Sequence, residues 1–370
     1  MLTHNKDFSM RKIRVGIIGQ GRSGSYIHRH LFESQEPLKT RFELVAVADH
    51  IPERCEGESG VTPSPELKKY GDYKEMLKDQ SIDLIVNSTR SMDHIPVSIE
   101  AMEAGHNVVC EKPLARHVAD VDKVAEAAKR TGKFFAVFQQ SRFRPLFRKC
   151  LEVMNSGILG RIVMVKIAYN LFGRRWDWQT IQDMCAGELL NTGPHPLDQA
   201  IQFYGDADPE KIVCTMDRAN TFGDAEDHIK LLLMGKGHPT IDFEVSRCCM
   251  FPGNTYEIYG TNGGLKAGGA EVTWKYFLPS EAPVQQLVRE PLEGPGRIPC
   301  YCCEQLHFYE EKWTAPDYAL GFDAWGTAYY EQVYDALVNG KPMEVTLDQI
   351  RRQIMIIEEC HRQNPFPKMK

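Results

Sequence analysis

Up to Pro145, apolar residues gather in short runs at 12–19, 42–49, 82–88, 106–110 and 134–138. The stretches between them, 23–33, 64–78, 94–104 and 117–131, repeat their apolar positions at helical spacing. Short unbroken apolar runs suit strands buried on both faces. Their alternation with helices predicts a doubly wound parallel sheet. After Pro145 the pattern changes. The segments 161–168, 211–216, 228–234, 240–245 and 254–260 alternate apolar and polar residues. That period predicts an antiparallel sheet with one face packed on helices. Residues 278–321 are rich in Pro, Gly and aromatic residues without period, and predict a long irregular excursion. Helices near 323–339 and 347–362 close the chain. The expected class is α/β with two domains, 1–142 and 143–370, the last helices packing back on the first.

The first apolar run breaks into Gly19-x-Gly21-x-x-Gly24, and helix-like sequence follows. In such a strand–turn–helix, the first glycine permits the tight turn and the second leaves room for a pyrophosphate. The third lets helix and strand pack closely, while the helix N-terminus offers N–H groups to the phosphates. The next apolar run ends in Asp49, whose carboxylate suits the adenosine ribose hydroxyls and repels a 2′-phosphate. The expectation is a Rossmann domain that binds NAD in preference to NADP, with Arg54 nearby as the feature that favours the phosphorylated form.

Composition narrows the field. A chain of 370 residues exceeds what one core usually organises, in keeping with two domains. A net charge of −6, with no long Lys/Arg block, argues against a nucleic-acid partner. No apolar run approaches the ~20 residues that span a bilayer, and the N-terminus lacks a signal-peptide layout, so no membrane partner and a cytoplasmic location are expected. The 11 cysteines, an odd number, are then expected to be reduced. Cys300, Cys302 and Cys303 with His307, and the pair Cys248–Cys249, lack the spacing of common zinc sites. They read as packed or partly exposed thiols, and no metal is expected.

Two further clusters carry chemistry. Glu111-Lys112-Pro113 directly follows a strand, so Lys112 points into the ligand crevice, where an ammonium can stabilise an oxygen losing its proton. Taken alone, this tripeptide is also a common surface sequence. In the segment 186–198, Asn191, His195 and Asp198 stand four and three apart, which puts them on one face of a helix beginning near Asn191. A neutral histidine there is a competent base; capping or packing is the plainer reading.

Together, Gly19-x-Gly21-x-x-Gly24, Glu111-Lys112-Pro113 and Gly187…Asn191-x-x-x-His195-x-x-Asp198 resemble the glucose–fructose oxidoreductase / inositol dehydrogenase (Gfo/Idh/MocA) family. Arg142-Phe143-x-Pro145 and the Thr89…His94 loop add to the likeness. The resemblance implies a Rossmann domain followed by an α/β domain whose large, mostly antiparallel open sheet often mediates homo-oligomers. It implies oxidation or reduction of a secondary hydroxyl of a sugar or cyclitol. Lys112 would hold the reacting hydroxyl beside the nicotinamide, and His195 would be the general base. Gly19, Gly21, Arg22, Ser23, Gly24, Asp49, Thr89, His94 and Glu111 would surround NAD. Asn191 stands where most members have Asp, so a neutral amide replaces a charge beside the base. The sequence further resembles members that oxidise the C3 hydroxyl of glucosides, among them those that begin C- and O-glucoside deglycosylation. Arg174, Arg175, Trp176 and Trp178 then suit a sugar site, with Asn191 and Asp198, and Tyr169 and Asn170 beside them. A core or interface aromatic pair is the alternative for the tryptophans. Two other functions remain open: redox-neutral glycosidic cleavage through transient C3 oxidation, and a non-catalytic sugar or NAD sensor.

Overall fold

The structure is a computed structural model that describes residues 12–57 and 66–369. Six strands, β1 (Ile13–Ile18), β2 (Phe42–Ala48), β3 (Lys68–Tyr70), β4 (Leu84–Asn87), β5 (Asn107–Cys110) and β6 (Phe135–Val137), form an all-parallel sheet. Their order, β3-β2-β1-β4-β5-β6, reverses between β1 and β4, which opens a crevice at the strand carboxyl ends. The crossovers include α1, a π-helical stretch Gly24–Arg29 continued by His30–Ser34, then α2 (His94–Glu103) and α3 (Val118–Thr131). β1, β4 and β5 are buried almost throughout, as their apolar runs require.

A second sheet has eight strands: β7 (Ile162–Asn170), β8 (Lys211–Asp217), β9 (His228–Met234), β10 (Thr240–Ser246), β11 (Tyr256–Gly260), β12 (Gly263–Gly268), β13 (Glu271–Tyr276) and β14 (Tyr309–Thr314). Its order is β14-β13-β12-β11-β7-β10-β9-β8, and only β7 and β10 pair in parallel. In β9, Ile229, Leu231 and Leu233 are buried while their neighbours are half-buried, the alternation of a sheet packed on one face. That face rests on α4 (Pro145–Asn155), α6 (Pro194–Tyr204) and α8 (Leu347–Gln363), the three lying either side of the short helix α5 (Glu188–Asn191) and of α7 (Phe322–Asn339). α7 leaves this core altogether: Tyr329, Tyr330 and Val333 join Phe32, Phe42 and Phe138 under the first sheet.

Three expectations change. A helix at 64–78 gives way, in its described part, to the edge strand β3 and one helical turn, Tyr73–Met76 (64–65 lie outside the described residues). Asp72 decides this locally, since its side chain accepts from Lys74 N at 2.9 Å and starts the turn only after Gly71. The excursion 278–321 contains β14, whose three consecutive charged residues masked its alternation, and β12 escapes notice because glycines give it little β-propensity. Finally, no single helix carries Asn191, His195 and Asp198. Asn191 ends α5, and α6 starts afresh at Pro194. A β-carbon at Gly193 would lie 2.3 Å from Leu189 O, so the break depends on glycine, and Pro194 then occupies the first turn, where its missing N–H costs nothing.

Candidate active site

One cleft of about 1370 Å³ runs from the carboxyl ends of β1, β2, β4 and β5 to the 175–179 loop and to Arg247, just after β10. At its first end the glycines divide their work. Gly19 has φ +85°, and a side chain there would meet Ser88 O at 2.6 Å. A β-carbon on Gly24 would fall 1.8 Å from Gly19 O, so loop and helix touch backbone to backbone. Gly21 meets nothing within 4 Å and faces the cleft with Arg22 and Ser23. Ser88 ties the turn down, its hydroxyl donating to Gly19 O at 2.7 Å and lying 2.9 Å from Ile18 O. Asp49 ends beside the turn. Its Oδ2 accepts Gln20 N at 2.8 Å and its Oδ1 accepts Ile51 N at 2.9 Å, leaving further lone pairs toward the cleft. Arg54 sits 3.8 Å from the same carboxylate. A shaped opening at Gly21, N–H groups around it and a carboxylate at the next strand end fit a dinucleotide.

The middle of the cleft is the end of β5. Glu111 is 5 % exposed. Burial opposes its ionisation, but the hydrogen bond with His28, with Lys112 close by, outweighs burial and holds it at about 2. His28 Nε2 lies 3.1 Å from Glu111 Oε1, and His28 Nδ1 lies 2.7 Å from the Tyr330 hydroxyl. An ionised Glu111 accepts the Nε2 proton, and the Tyr330 hydroxyl, which can donate or accept, completes the bond at Nδ1. The other oxygen of Glu111 accepts Lys112 N at 2.9 Å. Lys112 Nζ donates to Asn191 O at 2.9 Å, across to α5. Burial pushes the Lys112 ammonium below the usual lysine range; Glu111 and Glu188 oppose this, and Arg22 and Arg175 add to it.

His195 faces Lys112 across this space. Its Nδ1 is buried without a hydrogen-bond partner. Burial holds it well below the usual histidine range, and the Lys112 charge lowers it further. The imidazole is therefore neutral at pH 7, with a free lone pair to accept a proton, though as a weaker base than an exposed histidine. The same cleft is also lined by Gln140, Arg175, Asp177, Trp178, Gln179, Thr192, Arg247 and Phe322. The α5 turn beneath is fixed by Glu226, whose Oε1 accepts Leu189 N at 3.1 Å and packs against Gly187 at φ +125°.

Of the residues expected at the site, Gly19, Gly21, Arg22, Ser23, Asp49, Thr89, Glu111, Lys112, Arg175, Trp178, Asn191 and His195 line this one cleft. The structure places the others off the cleft surface. His94 is 2 % exposed and bonds inward, its Nδ1 2.7 Å from Pro113 O and its Nε2 3.2 Å from Thr89 O, so it joins two cleft loops from below. Asp198 is buried in a two-pronged pair with Arg142 (2.7 and 2.5 Å) and meets no cleft surface. Arg174 and Trp176 turn outward around Phe222, at 4.7 and 6.3 Å from its ring. Tyr169 likewise bonds away from the cleft, to Arg144 and Gln199, and Asn170 bonds to Glu244. Gly24 acts under the loop, without facing the cleft. Sequence reasoning did not single out Gln140, Gln179, Thr192, Arg247 or Phe322. Thr192 lies inside the motif already quoted, whereas Arg247 stands alone after β10 with no local signal. The described residues hold no group of three or more His, Cys, Asp or Glu placed to bind a metal, and no helix among them is long and apolar enough to cross a membrane.

Comparison with known proteins agrees with this geometry. Residues 13–139 match the model of the Gfo/Idh/MocA oxidoreductase family, NAD-binding Rossmann fold, and residues 147–266 match the C-terminal domain of the same family. An uncharacterised oxidoreductase of Schizosaccharomyces pombe is 25% identical over 316 residues, 83% of this chain and 80% of that protein. Mouse trans-1,2-dihydrobenzene-1,2-diol dehydrogenase is 29% identical over 53% of this chain and 58% of its own length. Scyllo-inositol 2-dehydrogenase (NADP(+)) of Bacillus subtilis is 23% identical over 68% of each. Among solved structures, an NAD-binding protein from Listeria innocua superposes with TM-score 0.75 at 21% identity, covering 97% of this chain and 100% of that one. An oxidoreductase from Thermotoga maritima gives 0.75 at 20% identity, over 95% and 96%.

Proposed function

Because the chain belongs to the Gfo/Idh/MocA family of NAD-binding oxidoreductases, we propose that it oxidises a secondary hydroxyl of a sugar or glycoside to the ketone, with C3 of a pyranose as the reacting carbon. The observation that carries this reading is the shared cleft, in which an ammonium, Lys112, and an unpaired imidazole, His195, meet between a dinucleotide cradle and a wall of polar and aromatic side chains.

Gly19, Gly21, Arg22, Ser23 and Asp49 would hold the cofactor. Asp49 favours the form with a free ribose 2′-hydroxyl, because its carboxylate repels a 2′-phosphate and already occupies Arg54. Bound NAD⁺ supplies the two-electron sink for the carbinol hydrogen. The protein's own part is acid–base and positional. His195, neutral at pH 7, takes the hydroxyl proton as the carbon–oxygen double bond forms. Lys112 donates to that oxygen and offsets the negative charge that develops on it. Its tether to Asn191 O ties the β5 side of the cleft to the α5 side and so fixes the distance across it.

The test is a panel of methyl pyranosides, free sugars and inositols, incubated with enzyme and NAD⁺, with products identified by mass and NMR. Stoichiometric NADH with a ketosugar supports oxidation. Loss of the glycosidic bond without net NADH would instead indicate redox-neutral cleavage. Tight NAD binding with no turnover of any member would leave only a sensor. Lys112→Ala and His195→Ala are expected to keep NAD affinity while losing at least ~100-fold in kcat/KM, the usual worth of acid–base and electrostatic groups. Full activity in both variants would refute the assignment.

A further inference from the structure

The loop after β10 contributes a cation that the proton transfer does not use. Arg247 is locked by its backbone: its N–H donates to Asp227 O at 2.8 Å and its carbonyl accepts Gly173 N at 3.0 Å. Its side chain lines the same cleft as His195, meets Thr192 and is 18 % exposed. Its Nε lies 2.9 Å from Oε1 of Glu188, whose side chain is 5 % exposed. That contact is off-axis, so the buried Nε has a counter-charge but no directed hydrogen bond. Nη2 has one long bond, 3.4 Å to the Thr192 hydroxyl. A guanidinium carries five N–H donors and no acceptor, so most of this fork is unspent, on a side chain that lines the cleft. A half-buried donor with neutralised charge and unmet bonds calls for ligand oxygens.

We propose that Arg247 binds and selects the substrate: its guanidinium takes two neighbouring oxygens of a neutral polyhydroxylated ring, and Glu188 behind it excludes sugar acids. The assignment rests on the dehydrogenase reading above. Charge balance supplies the second half. Arg247 is already offset by Glu188, and Arg175 by Asp177 at 2.8 Å. A substrate carboxylate at Arg247 would bring a second negative charge beside the buried Glu188, whose charge already offsets that guanidinium. A pair of hydroxyls adds acceptors without charge.

The test uses the intact enzyme with methyl β-glucopyranoside and its 6-carboxylate counterpart, or the equivalent pair for whichever neutral ring the panel shows to be oxidised best. Arg247→Ala is expected to raise KM for the neutral ring about 100-fold while NAD affinity, measured by titration, holds. Arg247→Lys restores little, since a point charge cannot span two oxygens. Glu188→Gln is expected to cut the neutral-to-acid ratio of kcat/KM about tenfold, a change of preference that a merely structural role would not produce. If the wild type prefers the acid, or if Arg247→Ala and Glu188→Gln leave KM and the ratio within about threefold, the assignment fails while the oxidation itself stands. If an NAD-binding wild type oxidises no neutral ring, the dehydrogenase reading falls and this one with it.

Discussion

At the scale of single residues, the site depends on two groups whose protonation burial has shifted in the same direction on the pH axis. His195 must be neutral to accept a proton, and its burial beside Lys112 lowers its pKa well below the usual value of 6.5. Lys112 must be charged, and burial lowers it from 10.5. The kcat/KM profile is therefore expected to be a bell moved toward acid: flat near pH 7, falling as pH drops through a midpoint below 6.5, and falling again as pH rises through a midpoint below 10.5. An acid limb centred at or above 6.5 would contradict it. Asp198 calls for the opposite kind of expectation. Held by Arg142 and almost fully buried, it supports the fold, so Asp198→Asn is expected to cost about 3–5 kcal/mol in a denaturant titration, because it strands a buried guanidinium. Substrate KM should barely move. Sequence spacing could not tell these roles apart. His195 and Asp198 stand three apart whichever way their helix is turned, and only the partner, Arg142, far along the chain, shows that Asp198 looks inward. Arg247 was illegible for the same reason: its meaning lies in Glu188 and Thr192, which the fold alone brings to it.

At the scale of elements, backbone necessity made the cofactor turn readable. The three glycines answer three distances, and the structure separates them. Gly24→Ala must push the helix off Gly19 O and is expected to disrupt folding, read as a loss of soluble, cooperatively melting protein. Gly21→Ala meets no neighbour, so its thermal midpoint should hold to within a few degrees. Its methyl group instead projects into the cleft, and NAD affinity is expected to fall at least ~10-fold by titration. Equal loss of stability in both would refute this division of labour. Five of the six parallel strands were legible because they are largely buried, whereas the short, exposed edge strand β3 was not. The strands β12 and β14 were not, since glycine in one and three adjacent charges in the other hide the period. Helices α5 and α6 show a different limit: the spacing from Asn191 to Asp198 is helical on paper, but Gly193 and Pro194 cut it, and Asn191 serves Lys112 through its backbone carbonyl.

At the scale of the whole molecule, the two sheets share more than a cleft. Tyr330 of α7 bonds His28, which bonds Glu111, which receives the Lys112 amide. Tyr329 donates to Val137 O at 2.8 Å, and the two tyrosine rings lie 4.5 Å from Phe32 and 4.9 Å from Phe138. The aromatic floor of the first sheet is thus completed from near the far end of the chain. A fragment of residues 1–142 is expected to bind a hydrophobic dye and to aggregate, and joining residues 322–339 to it should restore a sharp thermal transition. A soluble, cooperatively folded 1–142 fragment would overturn this. The consequence reaches into biosynthesis. As the polypeptide leaves the ribosome, the first sheet must wait for Tyr329 and Tyr330, made nearly two hundred residues after its last strand, before its core can close. A chain cut short anywhere before α7 is expected to leave this apolar floor open to water and to unwanted partners.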